Sequence, residues 1–440
     1  MQSRAYNQAL QMVRLFACMR GVKPCKVCVN CYARTYDGSL RDGEVTIRCV
    51  DPALFVQHSD SSLYAYYDTI VAARPRDRPD MEKAYGIKYN PYGMMHTMRR
   101  VYQPVSHTLR DWMHMLVSGG VANTQAALLL VLLMSFGVRL ETVGAFVASV
   151  VLPWRHGKTS GTWVSRQRLG KTRESLASFA SVMLSLIPIL ACFLEEIFPG
   201  DDDHPIREHK ECWNRLNHMI SILRTGPERA MEHLDELRIV IGEWATLFER
   251  LYPGASVKPK FHNLVIHLIQ DVLRVGKLLS CFVTERKHRS TKRTALFTFR
   301  YIDNTVVKNM LNTQCEQIRG GSETLFRKQY LVNPQEVCCF GAVLYTSNHI
   351  VTPCGALRIG DVACVDDGRV GRLHRFWSND DATTYTAQVD VYQACGDGRH
   401  WDICNSQSTT ILVDQIIDAV MWFRASASVI RVILPFGAPV

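Results

Sequence analysis

The stretch that decides the fold is residues 110–138, RDWMHMLVSGGVANTQAALLLVLLMSFGV. Its second half is a continuous apolar run over residues 126–138, and a similar run occupies residues 180–194. Both are shorter than the roughly 20 residues that an α-helix needs to cross a bilayer. We therefore expect both runs to form buried helices of a large core, and we expect no membrane partner.

The apolar pattern continues around this stretch and covers most of residues 107–249. Apolar side chains recur at three- and four-residue spacing between residues 206 and 251, as at Trp213, Leu216, Met219, Ile220 and Leu223. This spacing predicts at least two amphipathic helices. Residues 154–173 interrupt the pattern with Gly, Ser, Thr and basic side chains, which predicts a loop.

The pattern changes after about residue 332, where short β-branched runs are separated by Gly, Asp and Asn. The runs are residues 343–345, 362–365, 370–376, 384–392 and 428–434. Closely spaced strands with such turns are typical of a small barrel or sandwich. Together with the helical part, they predict an α+β fold class.

The composition is that of a globular protein, with 47% hydrophobic and 21% charged residues. The net charge of +10 favours a polyanionic partner such as nucleic acid. Fifteen cysteines are too few for a disulfide scaffold in a chain of 440 residues. The first residues contain no secretory signal pattern, so we expect a nuclear or cytoplasmic protein that is not secreted.

Three of the cysteines, Cys25, Cys28 and Cys31, form two overlapping CxxC pairs. A CxxC turn presents two thiolates to one ion, so this segment is a candidate structural zinc site. Cys49 and His58 are the candidates for the fourth ligand. Free buried thiols are the equal alternative for this segment.

Two further segments carry candidate chemistry. Asp111 and His114 are three residues apart, so on a helix they share a face and can approach one metal ion or phosphate. The alternative for Asp111 is a helix N-cap. In residues 258–267, KPKFHNLVIH, the histidines His262 and His267 are five apart. That spacing does not place them on one face of an α-helix, so we expect no two-histidine metal site.

Glu285 and His288 share a helical face, and five of the eight residues that follow Glu285 are basic. Such a cluster can neutralise DNA phosphates while the carboxylate holds a cation. A second basic cluster lies in the predicted loop at 154–173. The candidate DNA-binding residues are Arg286, Lys287, Arg289, Lys292, Arg293, Lys158, Arg166, Arg168 and Lys171. The alternative for both clusters is a solvated surface.

Two patterns resemble those of known transposases. The first pattern is Asp-x-x-His before a long apolar helix. The second is Lys-Pro-Lys-x-His-x-x-x-x-His followed by Glu-Arg-x-His-x-x-x-Lys. Both are similar to segments of CACTA-type and Kyakuja-Dileera-Zisupton-type transposases. The resemblance covers about three quarters of the chain. It implies an RNase H-like core with three acidic metal ligands, of which Asp111 matches the second and Glu285 the third.

The resemblance also implies supporting roles for four histidines: His114, His262, His267 and His288. Strand cleavage of this type uses Mg²⁺ ions held by all three acids. The first acid should end a hydrophobic strand ahead of the cysteines, and no such strand precedes Cys25. Asp51 ends a strand-like segment, but it follows the cysteines. We therefore expect a relic core that lacks unaided cleavage activity.

The predicted fold is a partial RNase H-like core with a large helical insertion at about 140–275, plus a small C-terminal β-barrel or sandwich. The predicted domains are a Cys-rich segment at 1–70, the core at 90–330 and a β-rich module at 335–440. That module resembles an SH3-like or bromo-adjacent-homology-like barrel, which implies binding of a protein or histone.

The predicted function is a transposase-derived protein that binds double-stranded DNA, with self-association as a further expectation. One alternative is an active nuclease that uses Asp51, Asp111 and Glu285 with Mg²⁺. The other is a non-catalytic chromatin or protein-interaction scaffold.

Overall fold

The fold was analysed in a computed structural model. It describes residues 31–33, 55–85, 87–170, 172–200, 204–225, 229–255, 259–278, 305, 308, 311, 329–339, 342–352, 355–379, 384–396 and 399–433. The described residues divide by sequence position: helices dominate up to residue 278, and strands dominate from residue 329 onward. The predicted α+β class is confirmed.

The helical part contains two short strands and several helices and helical turns. The strands are β1 (Cys31–Ala33) and β2 (Phe55–Gln57). The α-helices are α1 (Asp60–Ala72), α2 (Arg78–Tyr85), α3 (Met94–Thr97), α4 (Trp112–Leu116), α5 (Val121–Ser135), α6 (Leu140–Ser149), α7 (Arg166–Leu169), α8 (Ala180–Ile197), α9 (Ile206–Arg224), α10 (Arg229–Glu232), α11 (Leu234–Leu251), α12 (Pro259–His262) and α13 (Leu268–Val275). A π-helical turn, Asn263–His267, joins α12 to α13.

The chain groups into two compact units, and each is made of several segments. The first unit comprises Met1–Leu129, Leu169–Met183 and Asp202–Ser280. The second comprises Leu130–Arg168, Leu184–Asp201 and Cys281–Val440. The predicted domain boundaries at 70, 90 and 335 stay predictions, because this grouping describes packing and not independent folding.

The core of the first unit lies between α9 and α11, which pack against each other as the predicted amphipathic pair. Their apolar faces bury Trp213 and Trp244, and the rings of Phe248 and Phe261 pack on Trp244. Burying one such aromatic side chain contributes on the order of 2–3 kcal/mol. This apolar cluster therefore contributes substantially to the stability of the unit.

The two apolar runs form α5 and α8, as expected. By length and hydropathy alone, the helical stretches Trp112–Ser135 and Ala180–Ile197 are long enough to cross a membrane, although the apolar runs at 126–138 and 180–194 are themselves shorter. However, 72% and 56% of their apolar windows are buried within the protein. Core helices of a folded protein have the same character, so these stretches are no argument for a membrane partner.

The C-terminal strands are all antiparallel to their neighbours. They are β3 (Tyr330–Leu331), β4 (Gln335–Cys339), β5 (Ala342–Ser347), β6 (His349–Thr352), β7 (Gly355–Arg358), β8 (Val362–Val365), β9 (Val370–Asn379), β10 (Tyr385–Ala394), β11 (His400–Leu412), β12 (Ile416–Ala419), β13 (Met421–Arg424) and β14 (Val429–Ile433). The larger sheet has the order β12-β8-β9-β10-β11-β14-β13, with β5 on β9 and β4 on β5. A smaller sheet has the order β3-β6-β7.

The core of this β-rich region has two apolar clusters, and β8 contributes to both. Ala363 and Val365 lie in one cluster, whereas Val362 and Cys364 lie in the other. This division follows from the two-residue side-chain period of a strand. All five predicted runs contain strands within the described residues. These strands form no closed barrel, so a barrel is not found, and the sandwich that was the alternative stays a prediction.

An RNase H-like core needs a sheet in the helical part of the chain. Among the described residues before residue 329, β1 and β2 are the only strands, and they pair antiparallel with each other. The described residues therefore do not confirm an RNase H-like core.

Candidate functional site

Asp111 begins the short helix α4 as its N-cap. Its Oδ1 accepts a hydrogen bond from the backbone N–H of Met113, and its Oδ2 accepts one from the N–H of His114, each at 3.2 Å. Oδ2 also lies 2.5 Å from Nδ1 of His114. The predicted shared face of Asp111 and His114 is present, and the carboxylate occupies the helix-cap position that was its alternative interpretation.

The two oxygens of Asp111 are therefore already engaged. A carboxylate offers about four lone-pair sites, and three contacts of Asp111 use most of them. Its side chain is 12% exposed, whereas that of His114 is 42% exposed. In this arrangement Asp111 stabilises the start of α4 as its N-cap, and its predicted role as a metal ligand stays a prediction.

A buried ion pair connects this segment to α13. Nη1 of Arg110 donates to Oδ2 of Asp271 at 2.8 Å, and the backbone N–H of Arg110 donates to the same oxygen at 3.1 Å. Oδ1 of Asp271 accepts from Arg274 at 2.9 Å, and Arg274 also donates to the backbone oxygens of Val105 and Thr108. The carboxylate of Asp271 thus holds the backbone of the segment before Asp111 in place, directly at Arg110 and through Arg274 at Val105 and Thr108.

Lys260 makes the second connection between the two sequence motifs. Its Nζ donates to the backbone oxygen of Ser118 at 2.7 Å and lies 3.3 Å from that of Gly119. These carbonyls follow the end of α4, where a cation is favoured by the helix dipole. The Lys-Pro-Lys segment and the Asp-x-x-His segment are therefore packed together although about 140 residues separate them.

His262 and His267 correct our expectation about spacing. Their Nε2 atoms are 3.1 Å apart, and both side chains are buried. The reason is the π-helical turn that contains His267: in a π-helix the repeat is i to i+5, so residues five apart come onto one face. The argument from α-helical spacing was wrong here, because it assumed an α-helix throughout.

The His262–His267 contact is that of a hydrogen-bonded pair. Nδ1 of His267 lies 3.0 Å from Oε1 of Gln270, an acceptor, so this Nδ1 carries a proton. In a neutral imidazole Nε2 of His267 is then the acceptor, and Nε2 of His262 donates to it. This hydrogen bond stabilises the π-helical turn between α12 and α13.

The basic segment at 154–173 is only partly a loop. It contains two 3₁₀ turns, Trp154–His156 and Gly161–Val164, in addition to α7. Lys158, Arg166 and Arg168 are all exposed, as a DNA-contacting surface requires. Lys171 lies outside the described residues.

The predicted zinc segment lies almost entirely outside the described residues, which include neither Cys25, Cys28 nor Cys49. The backbone of Cys31 pairs with Gln57, the neighbour of His58. His58 is buried, with its ring edge against Tyr66. Within the described ranges, no three His, Cys, Asp or Glu side chains come close enough together to hold a metal ion.

The remaining predicted residues also lie outside the described residues. They are Asp51, Glu285, Arg286, Lys287, His288, Arg289, Lys292 and Arg293. The predicted approach of Glu285 to Asp111 therefore stays a prediction.

The sequence interpretation missed two residues of this site, Asp271 and Arg274. A signal for Asp271 was present, since it lies between Leu268, Ile269 and Val272 on the buried face of an amphipathic helix. A carboxylate on such a face is rarely buried without a cationic partner.

Comparisons of the chain with models of protein families, with curated proteins and with solved structures find no match.

Proposed function

We propose that the protein is a transposase-derived DNA-binding protein with a relic catalytic core. The observation that carries the proposal is the packing of the two motif segments, residues 110–119 and 260–271. Arg110–Asp271 and Lys260–Ser118 join them within one compact unit. The transposase resemblance requires this neighbourhood, because its acidic ligands come from segments that are distant in sequence.

The RNase H-like core and its third acid belong to this proposal. Glu285 lies seven positions after Leu278, the end of the described range 259–278. An extended chain of that length spans at most about 25 Å. This chain length is compatible with the approach of Glu285 to Asp111 that the proposal needs, and the basic cluster at 286–293 follows Glu285 directly in the sequence.

Loss of strand cleavage is part of the same proposal. The carboxylate of Asp111 serves as a helix cap and contacts His114, so a Mg²⁺ ion would compete with those contacts for its oxygens. A two-metal site depends on each of its acids. The active nuclease with Asp51 is therefore the less favoured form, whereas a binding protein keeps its function without the metal.

Binding of labelled duplex DNA tests the proposal. The quadruple variant Lys287→Ala, Arg289→Ala, Lys292→Ala, Arg293→Ala should lose most of the affinity. The matched control removes four exposed arginines elsewhere: Arg74, Arg76, Arg238 and Arg375. Equal affinity of the two variants would contradict the proposal, since net charge alone would then explain binding.

A cleavage assay separates the relic from the nuclease. Incubation of supercoiled DNA with the wild-type chain and Mg²⁺ should leave it intact. Nicking that Glu285→Gln abolishes would show that the core is active and would overturn the relic form of the proposal.

The zinc site is a separate element of the proposed function. We expect one Zn²⁺ per chain, held by Cys25, Cys28 and Cys31 with Cys49 or His58. Metal analysis of the purified chain checks this. If protein that is purified in the presence of zinc contains none, the predicted zinc site does not exist.

A further inference from the structure

The second unit has an exposed tryptophan that lies against a β-hairpin. Trp154, in the 3₁₀ turn Trp154–His156, is 47% exposed although tryptophan is among the residues most often covered by protein. Its ring lies beside two side chains of the β6–β7 hairpin. The ring centroid of His349 is 4.8 Å away, and Cζ of Arg358 is 5.4 Å from the indole centroid.

The strand register explains why these side chains meet. His349 and Arg358 are directly paired across β6 and β7, so their side chains project from the same face of the hairpin. Trp154 lies against both of them. The three side chains form a surface that we call the Trp154 platform, which consists of Trp154, His349 and Arg358.

A single carboxylate holds the platform in place. Oδ1 of the buried Asp361 accepts the backbone N–H of Trp154, and Oδ2 accepts that of Arg358, each at 2.9 Å. Arg155 adds a second attachment through Asp418. The Arg155 side chain lies directly against the backbone of Gly355. A Cβ atom at position 355 would be only 2.4 Å from Nη1 of Arg155. The platform is therefore preorganised.

The exposed charge of the platform is positive. Arg358 is exposed, and no carboxylate in the described part of the chain pairs with its guanidinium. Lys158, four residues after Trp154, is also exposed and has no such partner among the described residues. Asp418 is paired with Arg155, and Asp361 is buried below the surface, where it accepts two backbone N–H groups. The charges exposed at the surface are therefore positive. An anionic ligand is thus favoured over a cationic one.

His349 adds a second observation. Its Nε2 atom is buried and makes no hydrogen bond with the residues that the structure describes. A polar atom left unsatisfied beside an exposed ring is costly, and a ligand with a donor or acceptor group can relieve that cost.

We propose that the Trp154 platform binds unpaired nucleotides, with a base stacked on the indole and the phosphate near Arg358 and Lys158. An exposed aromatic ring next to an arginine, with a further exposed cation nearby in the sequence, is similar to the combination of stacking surface and positive charge that binds single-stranded nucleic acid. Paired bases inside a duplex cannot present their faces to the ring. This inference rests on the proposed nucleic-acid-binding function, but it concerns a different surface and a different form of the ligand.

Binding of a labelled thymidine oligonucleotide and of a duplex of equal length to the full chain tests the inference. Trp154→Ala should weaken binding of the single strand by between about fivefold and about 150-fold, the range found for loss of one stacked base. Trp154→Phe should retain most of the affinity, because a smaller aromatic face remains. Tyr92→Ala, which removes a tyrosine that is 72% exposed in the first unit, is the matched control and should have no effect.

Three results would overturn the inference. Unchanged single-strand affinity in Trp154→Ala would show that the indole does not stack on a base. An equal loss for the duplex would make the platform a general phosphate surface. Competition by polyglutamate as strong as by an oligonucleotide of equal charge would indicate an acidic protein ligand. Thermal unfolding of Trp154→Phe checks that the fold is kept.

The experiment also separates this inference from the proposed function. The quadruple variant of the 286–293 cluster should lose duplex binding and keep the Trp154-dependent binding of the single strand. Duplex binding that survives the quadruple variant would contradict the proposed function and leave the platform unaffected.

Discussion

Arg110 and Asp271 form a buried ion pair, with 2.8 Å between Nη1 and Oδ2 and with both side chains 7% exposed. The pair joins a segment just before α4 to the middle of α13. Removal of one partner leaves the other charged group buried, and a buried charge without a partner is strongly destabilising. The relative position of the two sequence motifs therefore depends on this contact.

Asp271→Asn should lower the free energy of unfolding by about 3–5 kcal/mol, the range for breaking a buried pair. Urea unfolding followed by circular dichroism measures it. Arg74→Ala is the control, since the Arg74–Asp77 pair is exposed and such pairs contribute at most about 1 kcal/mol. Similar losses for both variants would mean that the Arg110–Asp271 pair is not buried in solution.

Substitution by alanine should lower the free energy of unfolding by different amounts at Gly119 and at Gly120. A Cβ at Gly120 would lie 2.2 Å from the backbone oxygen of Met115, so Gly120→Ala must displace backbone and should cost about 3 kcal/mol. Gly119 has φ of +59° and no neighbour within 4 Å of its Cβ position, so Gly119→Ala should cost only about 1 kcal/mol. The shift of the urea midpoint compares them, and the reverse order would contradict the described turn.

The histidine pair has a defined proton arrangement. At a pH where both rings are neutral, His262 should be the Nε2–H tautomer and His267 the Nδ1–H tautomer, because Oε1 of Gln270 faces Nδ1 of His267. Nitrogen-15 correlation spectra of the imidazole rings distinguish the two tautomers. Identical tautomers in both rings would be inconsistent with the 3.1 Å contact between their Nε2 atoms.

Thiol reactivity should follow burial. Burial raises the pKa of the Cys212 thiol to about 12, and it raises the pKa of Cys192 and of Cys364 to about 11. At neutral pH these thiols stay protonated and covered, so iodoacetamide should not modify them in the native state. Cys395 and Cys404 are exposed and should react before Cys192, Cys212 and Cys364, which peptide mass spectrometry can measure. Early modification of Cys212 would contradict its buried position.

The elements that the sequence predicted correctly are those with strong apolar periodicity. The amphipathic helices α9 and α11 have a core-facing stripe, and β8 to β10 have β-branched runs. β11 was missed because residues 404–410 are polar and largely exposed, so they carry no alternating apolar pattern. Its pairing with β10 is stabilised by backbone hydrogen bonds. These bonds do not depend on the side chains, so they cannot be recognised in the sequence.

The candidate site was predictable in only some of its residues and in few of its contacts, since Asp271 and Arg274 were missed. Asp111 and His114 could be paired from helical spacing alone. The pairing of His262 with His267 could not, because the π-turn that creates it has no signature in the sequence pattern. The link between Arg110 and Asp271 depends on the packing of α4 against the helices that follow residue 259. Long-range packing of this kind is invisible to a reading of local periodicity.

The salt dependence of duplex binding tests the central claim most directly. Each phosphate contact releases a counterion, so the slope of log affinity against log salt changes by about 0.9 per contact. The quadruple variant of Lys287, Arg289, Lys292 and Arg293 should therefore bind with a slope flatter by about 3 to 4 than that of the wild-type chain. The exposed-arginine control should keep the wild-type slope. An unchanged slope in the quadruple variant would contradict the account, since the 286–293 cluster would then make no contact with DNA.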